Sequence, residues 1–411
     1  MLNKAKNKNY ITLLIVLGIL FTYTNQMALS PIMSEVRQAY SISNEALLNL
    51  SMTIMYPTII IFSLWGSSQK KIDTRSMYTL CLLITGIGMG ICFFAKRYWV
   101  LILSRLVFGA GFGLGIPFIG NAISDWYEGK EQETMNTLNG LFPLIGTLIT
   151  FVITVPLCNL FNNDIKATLG IWGIPYFVIM ILWLLLSKPQ SDQPKDEEEE
   201  DANIKDIFSI KDVVLLCVAF VCDFFCYSYI ATILPDFLNE AFLIGPEKAG
   251  IIAAVAFPAV GVFGGSIGGS YMSKTRLRKP SMLIGQLLKF VGLVIAAVGA
   301  NMHIMVVVIG IMMFGIGNSM WMPGMYMVAM EQPGMNAKKT GIAFSVISSC
   351  GFAAGFISPI IGGFVTDLLI KSGISYTASI QICIAVYSIT NLVAYFAIKA
   401  TKETGKSTKD D

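Results

Sequence analysis

The chain has 411 residues, of which 55% are apolar and only 13% charged, with a formal net charge of +3. An ordinary soluble domain carries about 25% charged residues, so a soluble fold of this length would lack the groups to cover its surface, whereas a surface facing lipid needs none. Nothing in the near-neutral balance suggests nucleic-acid binding, which would need a basic patch.

A bilayer crossing takes about 20 mostly apolar residues. Twelve such runs are predicted, at 10–29, 45–66, 76–95, 99–119, 135–157, 168–187, 212–234, 248–272, 280–300, 302–325, 340–364 and 376–399. Lys4, Lys6 and Lys8 precede the first run in the manner of a leader peptide, but no small-residue cleavage site follows at Thr22–Ser30, so the run is expected to stay as the first helix. With the N-terminus placed inside, 21 lysines and arginines fall on the inner side, 6 on the outer and 2 within spans. Basic residues concentrate on the cytoplasmic side of membrane proteins. The expectation is therefore a multi-pass protein of the cell (inner) membrane, with both termini cytoplasmic.

The stretch from Lys188 to Lys211 is polar and rich in acids, and is expected to be a flexible cytoplasmic linker. It separates an N-terminal half (1–187) from a C-terminal half (212–400), and a short tail (401–411) follows. The halves repeat one another. Gly66, Lys71 and Arg75 after the second span recur as Gly269, Lys274 and Arg278 after the eighth, at an offset of 203. Phe108, Gly109, Gly111, Pro117 and Asp125 recur as Phe314, Gly315, Gly317, Pro323 and Glu331, at an offset of 206. Pro143 and Gly146 in the fifth span answer to Pro359 and Gly362 in the eleventh. The fold class expected is an all-α integral membrane protein of about twelve transmembrane helices in two pseudo-symmetric six-helix halves, the arrangement with which transporters build a central site.

These residues carry a family resemblance. The loop after the second span resembles the cytoplasmic loop motif of the major facilitator superfamily, with Gly66 at its glycine and Lys71 and Arg75 at its basic positions, although Lys70 replaces the usual acid and Asp73 the second glycine. The copy at Gly269, Lys274 and Arg278 is degraded in the same way. Arg105-Leu-Val-Phe-Gly109-Ala-Gly111 resembles the superfamily's Arg-x-x-x-Gly-x-Gly element in the fourth span. The resemblance covers nearly the whole chain. It implies that helices one, four, seven and ten line a cavity and that three, six, nine and twelve lie outside them. Gly111 and Gly115 also form a Gly-x-x-x-Gly pair, which lets a neighbouring helix approach closely. A dinucleotide loop would need a preceding strand and a glycine in place of Leu114.

Three ionisable residues sit well within spans: Arg105, Asp223 and Lys289. A charge in lipid costs about 2.5–3.5 kcal/mol on insertion scales, so each is expected to face protein or water. Arg105 has two readings. It hydrogen-bonds the carbonyls of a neighbouring broken helix, as its motif implies in related transporters, or it holds an anionic substrate with its fork. Asp223, the only acid deep in a span, is the candidate proton carrier, with a hydrogen-bonded structural acid as the alternative. Lys289, on an outer helix, is expected to snorkel or pair locally. The polar residues at cavity depth give the substrate-binding candidates Asn25, Tyr56, Arg105, Asn139, Tyr227, Asn318, Trp321 and Ser349. Tyr56-Pro57 should break the second span. Pairing of Asp125 with Arg75, and of Glu331 with Arg278, is expected to help close a cytoplasmic gate that also includes Gly66, Lys71, Gly269 and Lys274.

No phosphate-binding loop, nucleophile–base pair or metal-ligand spacing is present, and the eight cysteines read as packing residues inside apolar runs. No enzyme activity and no cofactor are expected. The partners are a small-molecule substrate, a proton or another coupling ion and the lipid bilayer, with the protein a monomer. The leading function is secondary transport by alternating access, as proton-coupled uptake of a small organic anion or metabolite. The alternative is a proton-coupled drug or metabolite exporter. The antiporter motif Gly-Pro-x-x-Gly-Gly reads here Phe142-Pro143-Leu-Ile-Gly146-Thr147, which keeps two of its four fixed residues. A membrane-embedded enzyme or sensor would show clustered His, Asp or Glu at membrane depth, where this chain has Asp223.

Overall fold

The computed structural model describes residues 8–69, 73–126, 129–187, 207–335 and 337–405. Among them all regular structure is helical. Twelve helices are long and apolar enough to cross a membrane, each falling on one of the twelve predicted runs. Large apolar side chains such as Leu185, Phe263 and Phe396 stand exposed on their outer faces, as a lipid-facing surface requires.

The chain divides into two compact units, residues 1–43 with 47–196, and residues 44–46 with 197–411. The division falls within the acidic segment, of which 188–206 lies outside the described residues. Within the first unit the third span packs on the fourth and sixth, the second on the fourth, and the first on the fifth and sixth. Within the second unit the ninth packs on the tenth and twelfth, the eighth on the tenth, and the seventh on the eleventh and twelfth. Each pairing in one unit has its counterpart in the other, six spans later, so the sequence repeat is also a repeat of packing.

Several spans are broken, and proline explains most of the breaks. A proline lacks an N–H, and its ring collides with the carbonyl four residues back. The second span splits into Glu45–Thr53 and Met55–Ser68, because Pro57 opposes the carbonyl of Thr53. The first runs as Lys8–Gln26, turns through a 3-10 segment at Ser30–Ile32 that contains Pro31, and resumes over Met33–Tyr40. It therefore extends well beyond the predicted end at 29. The tenth breaks at Trp321, just before Pro323, and the eighth widens into a π-helical turn at Val255–Ala259 around Pro258.

Glycines set the spacing of the fourth span against its neighbours. A Cβ on Gly109 would lie 2.9 Å from Met55 Cβ, and one on Gly113 2.6 Å from the Ile59 carbonyl oxygen, both on the second span. A Cβ on Gly111 would lie 2.5 Å from Thr85 N, and one on Gly115 3.2 Å from Cys81 Sγ, both on the third. The alternating glycines thus form two Gly-x-x-x-Gly seams, one toward each neighbour, and backbone approaches backbone along both. Replacing Gly109 by valine should lower stability in detergent by about 1–3 kcal/mol, the usual effect of overpacking. Gly90, with no atom within 4 Å of its added Cβ, should accept alanine without loss. Thermal unfolding of the two variants tests this, and equal destabilisation would remove the packing account.

Candidate functional site

The first unit centres on Arg105. The helix of the fourth span, Tyr98–Trp126, carries it, and its side chain is fully buried. Nη1 donates to the Asn25 carbonyl at 2.9 Å, and Nη2 to the Gln26 carbonyl at 2.8 Å and to Met55 Sδ at 3.1 Å. The guanidinium also lies 5.0 Å from the Phe108 ring centroid. Asn25 and Gln26 are the last residues of the helix Lys8–Gln26. The last carbonyls of a helix lack partners within it and carry its negative dipole end. A guanidinium fork supplies two donors and a full positive charge to that end. Around it, Asn25 Nδ2 donates to Tyr176 Oη at 3.2 Å, and Gln26 Nε2 donates to Tyr56 Oη at 3.3 Å. Thr150 Oγ1 donates to the Thr24 carbonyl. A Cβ on Gly146 would lie 2.6 Å from Tyr23 Cβ. The break in the first span is thus gripped by four others.

The second unit centres on an ion pair. Lys289, near the middle of the helix Lys279–Gly299, places Nζ 2.5 Å from Asp223 Oδ1 on the helix Lys211–Phe242. Lys289 is fully buried and Asp223 nearly so. Lys289 also donates to Asn318 Oδ1 at 3.0 Å on the tenth span, and Nζ stands 5.0 Å from the Phe314 ring centroid. Gln286, one turn before Lys289, donates from Nε2 to the same Asp223 oxygen at 2.9 Å. The lysine does not run to the surface. It reaches from the ninth span across to the seventh, and an outer helix therefore supplies the counter-ion of the deep acid. The sequence reading missed this pairing. Its signal was the Gln286–Lys289 spacing of three, which places two polar groups on one face of an apolar helix.

Of the other substrate-binding candidates, Tyr227 packs its ring against Phe224 and Phe257, with centroids 5.2 and 5.7 Å apart. Trp321 is fully buried against Phe220, and its indole N–H has no partner. Asn139 and Ser349 are half-buried and join neither charged cluster. Among the cytoplasmic candidates, Arg278 meets Glu331, with Nη2 2.8 Å from Oε1. Thr404 Oγ1 donates to the other Glu331 oxygen at 2.6 Å. Glu403 accepts from the backbone N–H groups of Arg278 and Lys279 at 2.9 and 3.0 Å. Partial burial pushes the Glu331 carboxyl up, but the bonds from Arg278 and Thr404 outweigh it and hold the group below its usual range. What this pair contributes is present above the usual carboxylate range and is lost as the pH falls. Arg75 donates to Ser187 Oγ at 2.9 Å and to the Leu184 carbonyl at 2.8 Å, at the end of the sixth span. Lys71 and the side chain of Asp125 lie outside the described residues. Gly66 is buried against Pro117 and Leu114, whereas Gly269 has open space around it and Lys274 is exposed.

Twelve helices long and apolar enough to cross a membrane, in two repeated units that each enclose one buried cation among the described residues, define a polytopic membrane protein. The chain belongs to the Major Facilitator Superfamily, whose family model matches residues 15–359 and, in a second alignment, 216–410. It is similar to the probable nitrate transporter NarT of Staphylococcus epidermidis, 23% identical over 69% of this chain and 70% of that one. The protein of the same name from Staphylococcus haemolyticus is 24% identical over 71% of each. Its fold resembles a bacterial homolog of the human lysosomal transporter Spinster, with a TM-score of 0.79 and 13% identity over 97% of both chains. A D-xylose–proton symporter aligns with the same TM-score at 14% identity, over 96% of this chain and 98% of that one. The protein is therefore a multi-pass membrane transporter and not an enzyme.

Arg105→Lys should destabilise the first unit, because one ammonium cannot serve both helix-end carbonyls as the fork does. A buried carbonyl left without a donor costs about 1–3 kcal/mol. Thermal unfolding in detergent measures this, and a lysine variant as stable as the parent would show that the clamp is not what holds the broken helix.

Proposed function

We propose that this transporter takes up a small anion together with protons, with Asp223 carrying the coupling proton. The observation that supports the reading is the Asp223–Lys289 pair, buried 2.5 Å apart deep within the second unit. A buried ionisable pair at membrane depth is costly to keep and needs a function to account for it. Protonating the acid breaks the pair, and deprotonating it restores the pair, so the carboxylate can be cycled by the proton gradient. The NarT proteins, named as probable nitrate transporters, support an anionic cargo, and the likeness to a proton symporter suits the coupling ion. No observation favours export.

The basic asymmetry of the loops supports both termini lying in the cytoplasm. Reporter fusions after Lys188 and after Lys402 should both read cytoplasmic, and a periplasmic signal at either would overturn that orientation.

Coupling is tested in proteoliposomes, with labelled nitrate, formate and lactate as probes and an imposed pH gradient. The parent should accumulate at least one of them when the outside is acid. Asp223→Asn should abolish that accumulation, while exchange between equal pools stays measurable because it moves no net proton. Undiminished gradient-driven accumulation in the asparagine variant would show that Asp223 is not the carrier.

A further inference from the structure

We propose that Lys289 is the anion-binding cation of this protein, and that Asp223 is its internal counter-ion, which an incoming oxyanion replaces when a proton neutralises the aspartate. The proposal rests on the anion reading above and assigns the ligand's charge to a residue of the ninth span.

The two buried cations differ in what holds them. Both terminal nitrogens of Arg105 are taken by backbone carbonyls at a helix end. Those carbonyls neither titrate nor leave, and withdrawing the fork would orphan them in an apolar interior. Lys289 is held by side chains alone, Asp223 and Asn318, and one of these is a carboxylate. A protonated Asp223 no longer compensates the ammonium. A buried cation without its partner is strongly unfavourable, and an anion entering beside it removes that penalty.

The surroundings suit an oxygen anion. The Lys289 ammonium and the Gln286 amide both donate to the same Asp223 oxygen, so the cluster already binds one carboxylate and offers two donors that another oxyanion can take over. Trp321, three residues after Asn318, has a buried indole N–H with no partner, and its ring packs against Phe220, three residues before Asp223. Gln286 and Lys289 are fully buried while Asn318 is half-buried, which makes Asn318 the edge of the network toward the surface. The charge of the site is the same in both states, one carboxylate with the ammonium, or one bound anion with the ammonium and a neutral acid. Loading therefore requires one proton per anion. Among the described residues the other titratable groups that interact with this pair are the thiols of Cys222 and Cys226 on the helix of Asp223. The tenth span faces the pair with the Asn318 amide and the Phe314 ring, neither of which titrates, and the twelfth contributes Asn391, which donates to Cys226.

The test is equilibrium binding of sodium nitrate and sodium formate to the purified full chain in detergent, by calorimetry, from mildly acid to mildly alkaline pH and with no gradient. The parent should bind at least one probe, with affinity weakening toward about tenfold per pH unit at the alkaline end, as one linked proton demands. Asp223→Asn should bind at least as tightly as the parent does in acid, with no dependence on pH. Lys289→Gln should not bind. The Asp223→Asn/Lys289→Gln pair, which removes both charges together, should unfold at a temperature near the parent's and still not bind. Parent-like binding in either variant lacking Lys289, or parent-like pH dependence in Asp223→Asn, would overturn the proposal, as would a parent that binds neither probe. These readouts contain no gradient, so they separate from the accumulation assay: a parent that accumulates anion while Lys289→Gln still binds it defeats this inference alone.

Discussion

A cation in the interior of a membrane protein must be met by an acceptor, because no water is there to do it. Among the described residues each half of this chain holds one such cation and meets that demand differently. In the first, Arg105 is neutralised by the open end of a helix, whose carbonyls need donors as much as the guanidinium needs acceptors. In the second, Lys289 is neutralised by a carboxylate. The first arrangement is permanent, since backbone carbonyls do not change charge. The second can be switched by one proton. The two halves repeat in topology, but among the described residues only the second carries a titratable counter-ion at its centre.

The helix breaks and the glycine seams serve these two centres. Had the first helix continued past Gln26, its carbonyls would be bonded within it and Arg105 would have no acceptors. The break is held open from several sides, by Thr150 on Thr24, by Tyr176 on Asn25 and by the close contact of Gly146 with Tyr23. The fourth span can present Arg105 there because its glycines let it sit against the second and third spans at backbone distance. The second unit uses the same device. A Cβ on Gly285 would lie 2.8 Å from the Gly317 carbonyl oxygen, and this close approach of the ninth and tenth spans brings Lys289 within reach of Asn318.

Much of this was legible in the sequence. The twelve apolar runs, the two halves and the repeat at Gly66/Gly269 and Phe108/Phe314 follow from the length of a membrane crossing and from glycine and proline positions, which act locally. The break at Tyr56-Pro57 was readable for the same reason. The extension of the first span to Tyr40 was not, because Pro31 signals only that a helix is interrupted and says nothing of its resuming. Arg105 near a broken helix was one of two open readings, and the resemblance alone supplied it.

The sequence by itself determined that this protein crosses a membrane twelve times, and that three charges lie too deep to be incidental, since both statements depend only on composition along the chain. Which charge answers which was decided by the tertiary structure. Asp223 and Lys289 lie on the seventh and ninth spans with one whole span between them, and nothing in the spacing of either helix says that the ninth turns its polar face, Gln286 with Lys289, toward the seventh. A local pattern gives the face of a helix, but the neighbour that face meets depends on how six helices pack, a property no single segment carries.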